Sequence, residues 1–305
     1  MIEVPKNRMI VFVMHDACNY DCCYCSIPSH LKKMASELDR FRDGSYVNKF
    51  DMFGSGNDFV ISGGEPLITP HIQDFFARVV QNKNKISVYT NLGVDVSWLA
   101  TFSKNINYIM ASLTPAVDYS PELEKFVDKV KFLRKNKINA VVRFVATKPR
   151  IPLIGPLAKM LKKSKIPLIV YPEFKYQQGL EIENYTQDEA VEIYTHANCI
   201  GKINLQHVGV RGAGLKCTAG NRSLYVSQNG NIYPCVNFTD YGCIGNVYDG
   251  TLAPVENISC GSCCTCDIQY FYGINGVRTH ITDTNRENYE SWIRKNKLDN
   301  KWWVV

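Results

Sequence analysis

The sequence predicts an α/β fold: six strand–helix units forming a partial (β/α)6 TIM-type barrel, followed by a small cysteine-rich C-terminal module. Three observations predict it. Between about residues 8 and 173, short apolar runs alternate with segments of helical spacing. The 12 cysteines avoid that body, with four inside residues 18–25, none from 26 to 198 and eight from 199 to 266. After about residue 196 glycine and cysteine become dense and helical periodicity fades. Strand–helix alternation implies a parallel sheet with right-handed crossovers. An open doubly wound sheet gives the same pattern, and in both arrangements functional residues belong at the C-terminal ends of the strands.

The elements follow in order. Ile10–Met14 reads as a buried strand, and Phe59–Ser62 as a short second one ending in glycines. Pro70 after Thr69 opens a helix that runs to Gln81. Ile86–Thr90 is the third strand, Val96–Lys104 a weaker helix and Tyr108–Ser112 the fourth strand. Ser120 is the expected N-cap of the clearest helix, which runs to Asn136 with apolar residues at Leu123, Phe126, Val127, Val130 and Leu133. Ala140–Val145, the helix Ile154–Lys163 and the strand Leu168–Tyr171 complete the body. Farther on, Leu224–Ser227 and Ile232–Tyr233 flank Asn229-Gly230, a two-residue hairpin signal. The expected organisation is a core at 8–195, a cysteine-rich module at 196–285 and a tail at 286–305 in which Trp292, Trp302 and Trp303 pack back on the body.

Composition narrows the function. Hydrophobic residues at 45% and charged residues at 21% suit a sizeable core and exclude general disorder. A net charge of +6 does not demand nucleic acid and suits an acidic or phosphorylated ligand equally. The apolar run Met9–Met14 ends at His15 and Asp16, so no signal peptide is visible and no run is long enough to span a bilayer. The expectation is a soluble cytoplasmic protein, in which clustered cysteines indicate metal.

The segment Cys18-Asn-Tyr-Asp-Cys22-Cys23-Tyr24-Cys25 contains C-x3-C-x2-C just after the first strand. Structural zinc prefers four ligands. Three suit a cubane iron–sulfur cluster that keeps one iron open for a small molecule. The alternative is a zinc knuckle with Cys23 as fourth ligand, although adjacent cysteines fit one ion poorly. Here the chain resembles the radical S-adenosylmethionine (SAM) superfamily, whose C-x3-C-x-aromatic-C motif is matched by Cys18, Cys22, Tyr24 and Cys25. The resemblance implies a 4Fe–4S cluster on the three cysteines, with Tyr24 near the adenine of SAM and Cys23 outside the motif. It also gives meaning to Gly63-Gly64-Glu65-Pro66, the family's turn for the methionine ammonium, where glycines permit close backbone approach. Strand-end polar residues Asn91 and Ser112 fit the SAM ribose and carboxylate, and Arg143 can pair with the carboxylate. Thr90, Tyr171 and Glu173 are strand-end groups as well; for Glu173 an ordinary backbone-satisfied role is the better reading.

Cys217, the hairpin, and Gly230 followed by Cys235 resemble the opening of SPASM and twitch extensions, and Cys260, Cys263, Cys264 and Cys266 form a compressed later run. The resemblance implies one auxiliary cluster on Cys217, Cys235, Cys260 and Cys263, with Cys266 as substitute. Cys199 and Cys243 read as unligated thiols. The implied chemistry is reductive cleavage of SAM to a 5′-deoxyadenosyl radical that abstracts hydrogen from a C–H bond, with flavodoxin or ferredoxin as electron donor. Oxidation, crosslinking or epimerisation of a ribosomal peptide is the first expectation. A sugar or aminocyclitol substrate is the alternative, and a zinc-stabilised, non-enzymatic binding protein is the alternative of another class. His15 and Asp16 are candidate acid–base groups by position alone.

Overall fold

The computed structural model describes residues 8–33, 36–176, 180–182, 185–196, 216–217, 219–220, 223–235, 242–253 and 258–259. Chain order begins with β1 (Met9–Val13), the short helices α1 (Ser29–Lys32) and α2 (Ser36–Asp39), a 3-10 stretch at Ser45–Phe53 and β2 (Asp58–Ser62). Then come α3 (Ile72–Gln81), β3 (Lys85–Thr90), β4 (Ile106–Leu113), α4 (Glu122–Lys135), β5 (Ala140–Ala146), α5 (Ile154–Lys163) and β6 (Leu168–Pro172). A ribbon of β7 (Phe174–Tyr176) and β8 (Leu180–Ile182) precedes α6 (Gln187–His196). The C-terminal strands are β9 (Lys216–Cys217), β10 (Ser223–Val226), β11 (Asn231–Tyr233), β12 (Gly245–Asn246), β13 (Thr251–Leu252) and β14 (Ile258–Ser259).

The six strands β1–β6 pair in sequence order and all in parallel, which is the expected partial-barrel sheet. Strand alternation divides their side chains. In β2, Phe59 and Ile61 join the helix-side core, while Val60 packs with Met9, Val11 and Tyr89 on the opposite, inner face. The helices answer at helical spacing, with Ile72, Phe75, Phe76 and Val79 of α3 and Phe126, Val127, Val130 and Leu133 of α4 buried. Phe12, Phe50, Phe59 and Phe75 form an aromatic knot, with the Phe12 and Phe50 rings 4.4 Å apart. Each such ring buried contributes roughly 1.5–3 kcal/mol.

The sheet does not stop at β1. Strand β10 lies parallel against it, pairing Ile10 with Leu224, and β11, β12 and β13 follow antiparallel. The predicted hairpin is thus hydrogen-bonded to the first barrel strand. Its loop differs from expectation. Gly230 N–H donates to the Ser227 carbonyl, and Ser227 N–H to the Asn231 carbonyl, so three residues link the strands, with Gly230 at φ 78°. This is the three-residue turn that puts glycine in the left-handed position.

Two helix expectations also change. Val96–Lys104 forms only a 3-10 segment at Ser97–Phe102, because Asp95 captures the Ser97 N–H and hydroxyl and β4 begins at Ile106. Ser120 does not cap α4. Its hydroxyl donates to Glu124 at 2.8 Å, and Pro121 holds the cap position. Cys199, Cys260, Cys263, Cys264, Cys266 and the three C-terminal tryptophans lie outside the described residues. No helix among the described residues is long and apolar enough to cross a membrane.

Candidate functional site

The cysteine loop leaves β1 and is fastened by backbone. Cys18 N–H donates to the Lys32 carbonyl at 2.9 Å, and Cys25 N–H to the Cys22 carbonyl at 3.1 Å. The turn after β2 docks on its base, where Gly64 N–H reaches the His15 carbonyl at 2.7 Å and Glu65 N–H the Ala17 carbonyl at 2.9 Å. This approach requires glycine. Gly63 sits at φ 132°, and a Cβ on Gly64 would collide with the Ala17 carbonyl.

Glu65 takes an unexpected part. Its side chain is wholly buried, and both carboxylate oxygens are engaged by chain donors: Leu67 N–H at 3.0 Å, the Thr90 hydroxyl at 2.7 Å and Asn91 N–H at 2.6 Å. Burial pushes the carboxyl up to about 7, against the pull of these three donors. The glutamate fastens the β2 turn to the end of β3, and the wall it offers outward is the glycine backbone.

A cavity of about 290 Å³ opens where these pieces meet, at the C-terminal ends of β1–β5. Cys18, Cys22, Cys25, Tyr24, Gly63, Gly64, Asn91, Ser112 and Arg143 all line it, so the structure brings together every predicted core-site residue except Glu65. Cys23 is exposed and lies off the cavity wall. Among the described residues no three His, Cys, Asp or Glu side chains gather as ligands of a single ion would. The ligands of a cubane bind separate irons and stand wider apart. Burial raises the thiol of Cys18 and lifts that of Cys22 to about 11, so both are neutral until an electrophile draws the proton off.

Two buried polar atoms in this wall have no partner among the described residues, Arg143 Nε and Thr114 Oγ1. Such orphans cost about 1–3 kcal/mol each unless a ligand or water meets them. The Arg143 guanidinium is held over the Tyr171 ring at 4.6 Å and the Tyr89 ring at 6.0 Å. Asn91 donates to Asn19 at 2.7 Å and lies 3.7 Å from the Cys18 sulfur. A cationic side chain, an orphaned hydroxyl and close glycine backbone suit a polar cofactor with a carboxylate, and the three thiols suit the iron–sulfur cluster.

Sequence reasoning missed Thr114, Arg150 and Lys32. Arg150 lies 3.9 Å from the centre of the Phe144 ring and 5.8 Å from that of Tyr24, so a buried cation stands beside the motif tyrosine. Lys32 is buried between Asp21 and the Cys22 carbonyl. Burial works against its charge, but the hydrogen bond from Lys32 to Asp21 leads the opposing effects, which together outweigh it and raise the ammonium's pKa. The only sequence signal for either cation was its closeness to a nominated segment.

Of the remaining candidates, His15 is buried against Thr69 at 2.8 Å, off the cavity wall, with its pKa lowered to about 4 by desolvation and Arg40. Asp16 accepts from Gln228 at 3.0 Å. Glu173 N–H donates to the Tyr185 hydroxyl. In the second cysteine group Cys235 is buried, whereas Cys243 is exposed and bonded to the Gly245 carbonyl. The backbone of Cys217 pairs with Ile258, and Gly220 N–H reaches the Pro234 carbonyl at 3.1 Å.

Comparison with known proteins agrees with this geometry. The family model described as the radical SAM superfamily matches residues 12–149, the segment that holds the cysteine loop, the Gly63-Gly64 turn and Arg143. A probable GTP 3',8-cyclase of Pyrobaculum aerophilum is 29% identical over 80 residues, 26% of this chain and 26% of that protein. Streptococcus suis SuiB bound to S-adenosylmethionine is similar in fold, with TM-score 0.54 at 15% identity over 90% of this chain and 68% of SuiB. In another SuiB structure the match spans 61% of that chain, about three fifths of its length. Native anSMEcpe with bound AdoMet and the Cp18Cys peptide gives TM-score 0.53 at 17% identity, covering 80% of this chain and 78% of that one.

Proposed function

We propose that this chain is a radical SAM enzyme that abstracts hydrogen from a C–H bond of a peptide, with oxidation, crosslinking or epimerisation as the outcome. The observation that carries the reading is that one cavity is shared by three thiols, the Gly63–Gly64 backbone and Arg143 Nε and Thr114 Oγ1, which are unpartnered among the described residues. Cys18, Cys22 and Cys25 would hold a 4Fe–4S cluster. Gly63, Gly64, Asn91, Ser112, Thr114 and Arg143 would hold SAM, with Tyr24 beside it. Such a cluster supplies the electron that cleaves SAM to methionine and a 5′-deoxyadenosyl radical.

The chain's own part is positioning and exclusion. Arg143, braced by Tyr89 and Tyr171, meets a carboxylate. Glu65 fixes the distance between the β2 turn and the β3 end. Met110, Ile169 and Tyr171 form a buried cluster packed against Tyr89, an apolar backing that would help keep water from a reactive species.

A core at 8–195 with an auxiliary-cluster module at 196–285 and a tail at 286–305 remains the organisation we favour. Cys217, Cys235, Cys260 and Cys263, with Cys266 as substitute, are the proposed auxiliary ligands. The described backbone supports this grouping, because the strand holding Cys217 pairs with the strand that runs into Cys260, and Gly220 bonds the residue before Cys235. The peptide reading draws support from fold neighbours crystallised with peptides, namely anSMEcpe with Cp18Cys and SuiB with its precursor peptide SuiA. A flavodoxin- or ferredoxin-class protein would supply the electron. The test is anaerobic reconstitution with iron and sulfide, then SAM and dithionite. Production of 5′-deoxyadenosine is the expected result; a zinc-loaded chain that leaves SAM intact would overturn the proposal.

A further inference from the structure

The segment that closes the cysteine loop contains a cation in an unusual place. Lys32 ends the four-residue helix α1, and only 3% of its side chain is exposed, against 40% for its partner Asp21. Its ammonium lies 2.9 Å from Asp21 Oδ1 and 3.4 Å from the Cys22 carbonyl. Its own carbonyl accepts from Cys18 N–H. One residue thus grips the loop twice, by backbone at its first cysteine, Cys18, and by side chain at its middle, Asp21 and Cys22. A lysine is costly to bury, and a loop brace alone would be served by a neutral donor.

The Asp21 carboxylate is 40% exposed, so it is screened more strongly than the buried ammonium, which lies against the Cys22 carbonyl. The exposed Lys33 also approaches Asp21, at 3.8 Å, and offsets its charge further. The net field that Lys32 directs at the three thiolates is therefore positive. A cluster bound there gains one negative charge on reduction, and nearby net charge is among the factors that set its potential.

We propose that Lys32 is a positioning residue that favours the reduced state of the cluster by holding a fixed, buried ammonium against the cysteine loop at Asp21 and Cys22. The proposal rests on the reading that Cys18, Cys22 and Cys25 bind a 4Fe–4S cluster. The step it affects is one electron entering the cluster from a low-potential one-electron donor, with no bond made or broken and no proton moved.

The test uses the full chain reconstituted anaerobically, comparing wild type with Lys32→Gln, Lys32→Arg and Asp21→Asn. Iron and sulfide per chain are measured first, and the cluster midpoint is then read by dithionite titration followed by electron paramagnetic resonance. Lys32→Gln keeps donors for Asp21 and Cys22 but removes the charge. Its reduced fraction at a fixed potential falls about tenfold, equivalent to a midpoint lower by about 59 mV for one electron. Lys32→Arg stays within twofold of wild type, and Asp21→Asn moves the midpoint upward. Lys32→Gln with full iron and the wild-type midpoint overturns the proposal. If Lys32→Gln loses iron, Asp21→Asn decides, and an unchanged midpoint there overturns it too. A wild-type chain that takes up no cluster defeats the underlying reading instead, a different result from a loaded chain with no shift.

Discussion

Arg150 and Asp118 face each other in a two-point ion pair, Nε to Oδ2 at 2.8 Å and Nη2 to Oδ1 at 2.7 Å, with 5% and 4% of their side chains exposed. The same guanidinium donates to the carbonyls of Val145 and Leu113, the chain ends of β5 and β4. Removing either partner strands a charge in the interior. We predict that Asp118→Asn or Arg150→Met lowers stability by about 3–5 kcal/mol. The double variant Asp118→Leu/Arg150→Met recovers only part of this, because two carbonyls stay unsatisfied. Urea unfolding of the four proteins checks the prediction, and equal midpoints for the singles and wild type would refute it.

Glu65 predicts a pH dependence of stability. Its carboxyl titrates near 4.5 in an unfolded chain and about 7 in the fold, so the folded state binds the proton more tightly. Its contribution is therefore fully present below pH 4.5, declines as pH rises from 4.5 to 7, and is flat above. Glu65→Gln abolishes that slope. It also turns an amide donor toward one of Leu67 N–H, the Thr90 hydroxyl or Asn91 N–H, costing about 1–3 kcal/mol. Urea midpoints from pH 4.5 to 8 for both proteins test this, and parallel curves would count against it.

How much of this was legible in the sequence follows from the range of the interactions. Local patterns carried the parallel sheet and the α3 and α5 helices, because strand runs such as Phe59–Ser62 and the spacing of Ile72, Phe75, Phe76 and Val79 are written in consecutive residues. The cysteine loop and the Gly63-Gly64 turn were legible for the same reason. What the sequence hid is long-range. Glu65 reads as a ligand-facing acid, yet its three donors come partly from a strand end 25 residues away. Thr114 lies just past a strand end and looks like loop, and Lys32 looks like an ordinary surface lysine. The docking of β10 on β1 needs a contact across more than 200 residues that no local pattern encodes.

The two orphaned groups in the cavity predict distinct effects on cofactor binding. Thr114→Val keeps the shape and removes a hydroxyl that has no partner among the described residues, so fold stability is unchanged or slightly higher. SAM binding weakens by about 1 kcal/mol, roughly fivefold. Arg143→Met removes a charge-assisted contact and weakens binding tenfold or more, about 1.5–3 kcal/mol. Equilibrium titration of the reconstituted chain with SAM measures both. A Thr114→Val chain that binds SAM as wild type does would place water, not cofactor, at that hydroxyl.

The last prediction concerns the floor of the cysteine loop. Gly64 approaches the Ala17 carbonyl too closely to tolerate a side chain, and the atoms it would strike are backbone, which cannot rotate away. Gly64→Ala must therefore push the β2 turn off the loop, stretching the bonds from Gly64 N–H to His15 and from Glu65 N–H to Ala17. The loop that presents Cys18 loses its support, while the helix-side core of Phe59, Ile61 and Phe75 is untouched. The expected outcome is a chain that stays folded by circular dichroism but takes up much less iron on reconstitution. Cys23→Ala, on an exposed residue off the cavity wall, retains wild-type iron, whereas Cys18→Ala, Cys22→Ala and Cys25→Ala each lose it. Full iron in Gly64→Ala would mean that the loop holds its shape without the turn beneath it, and equal iron loss in Cys23→Ala would return the fourth cysteine to the ligand set.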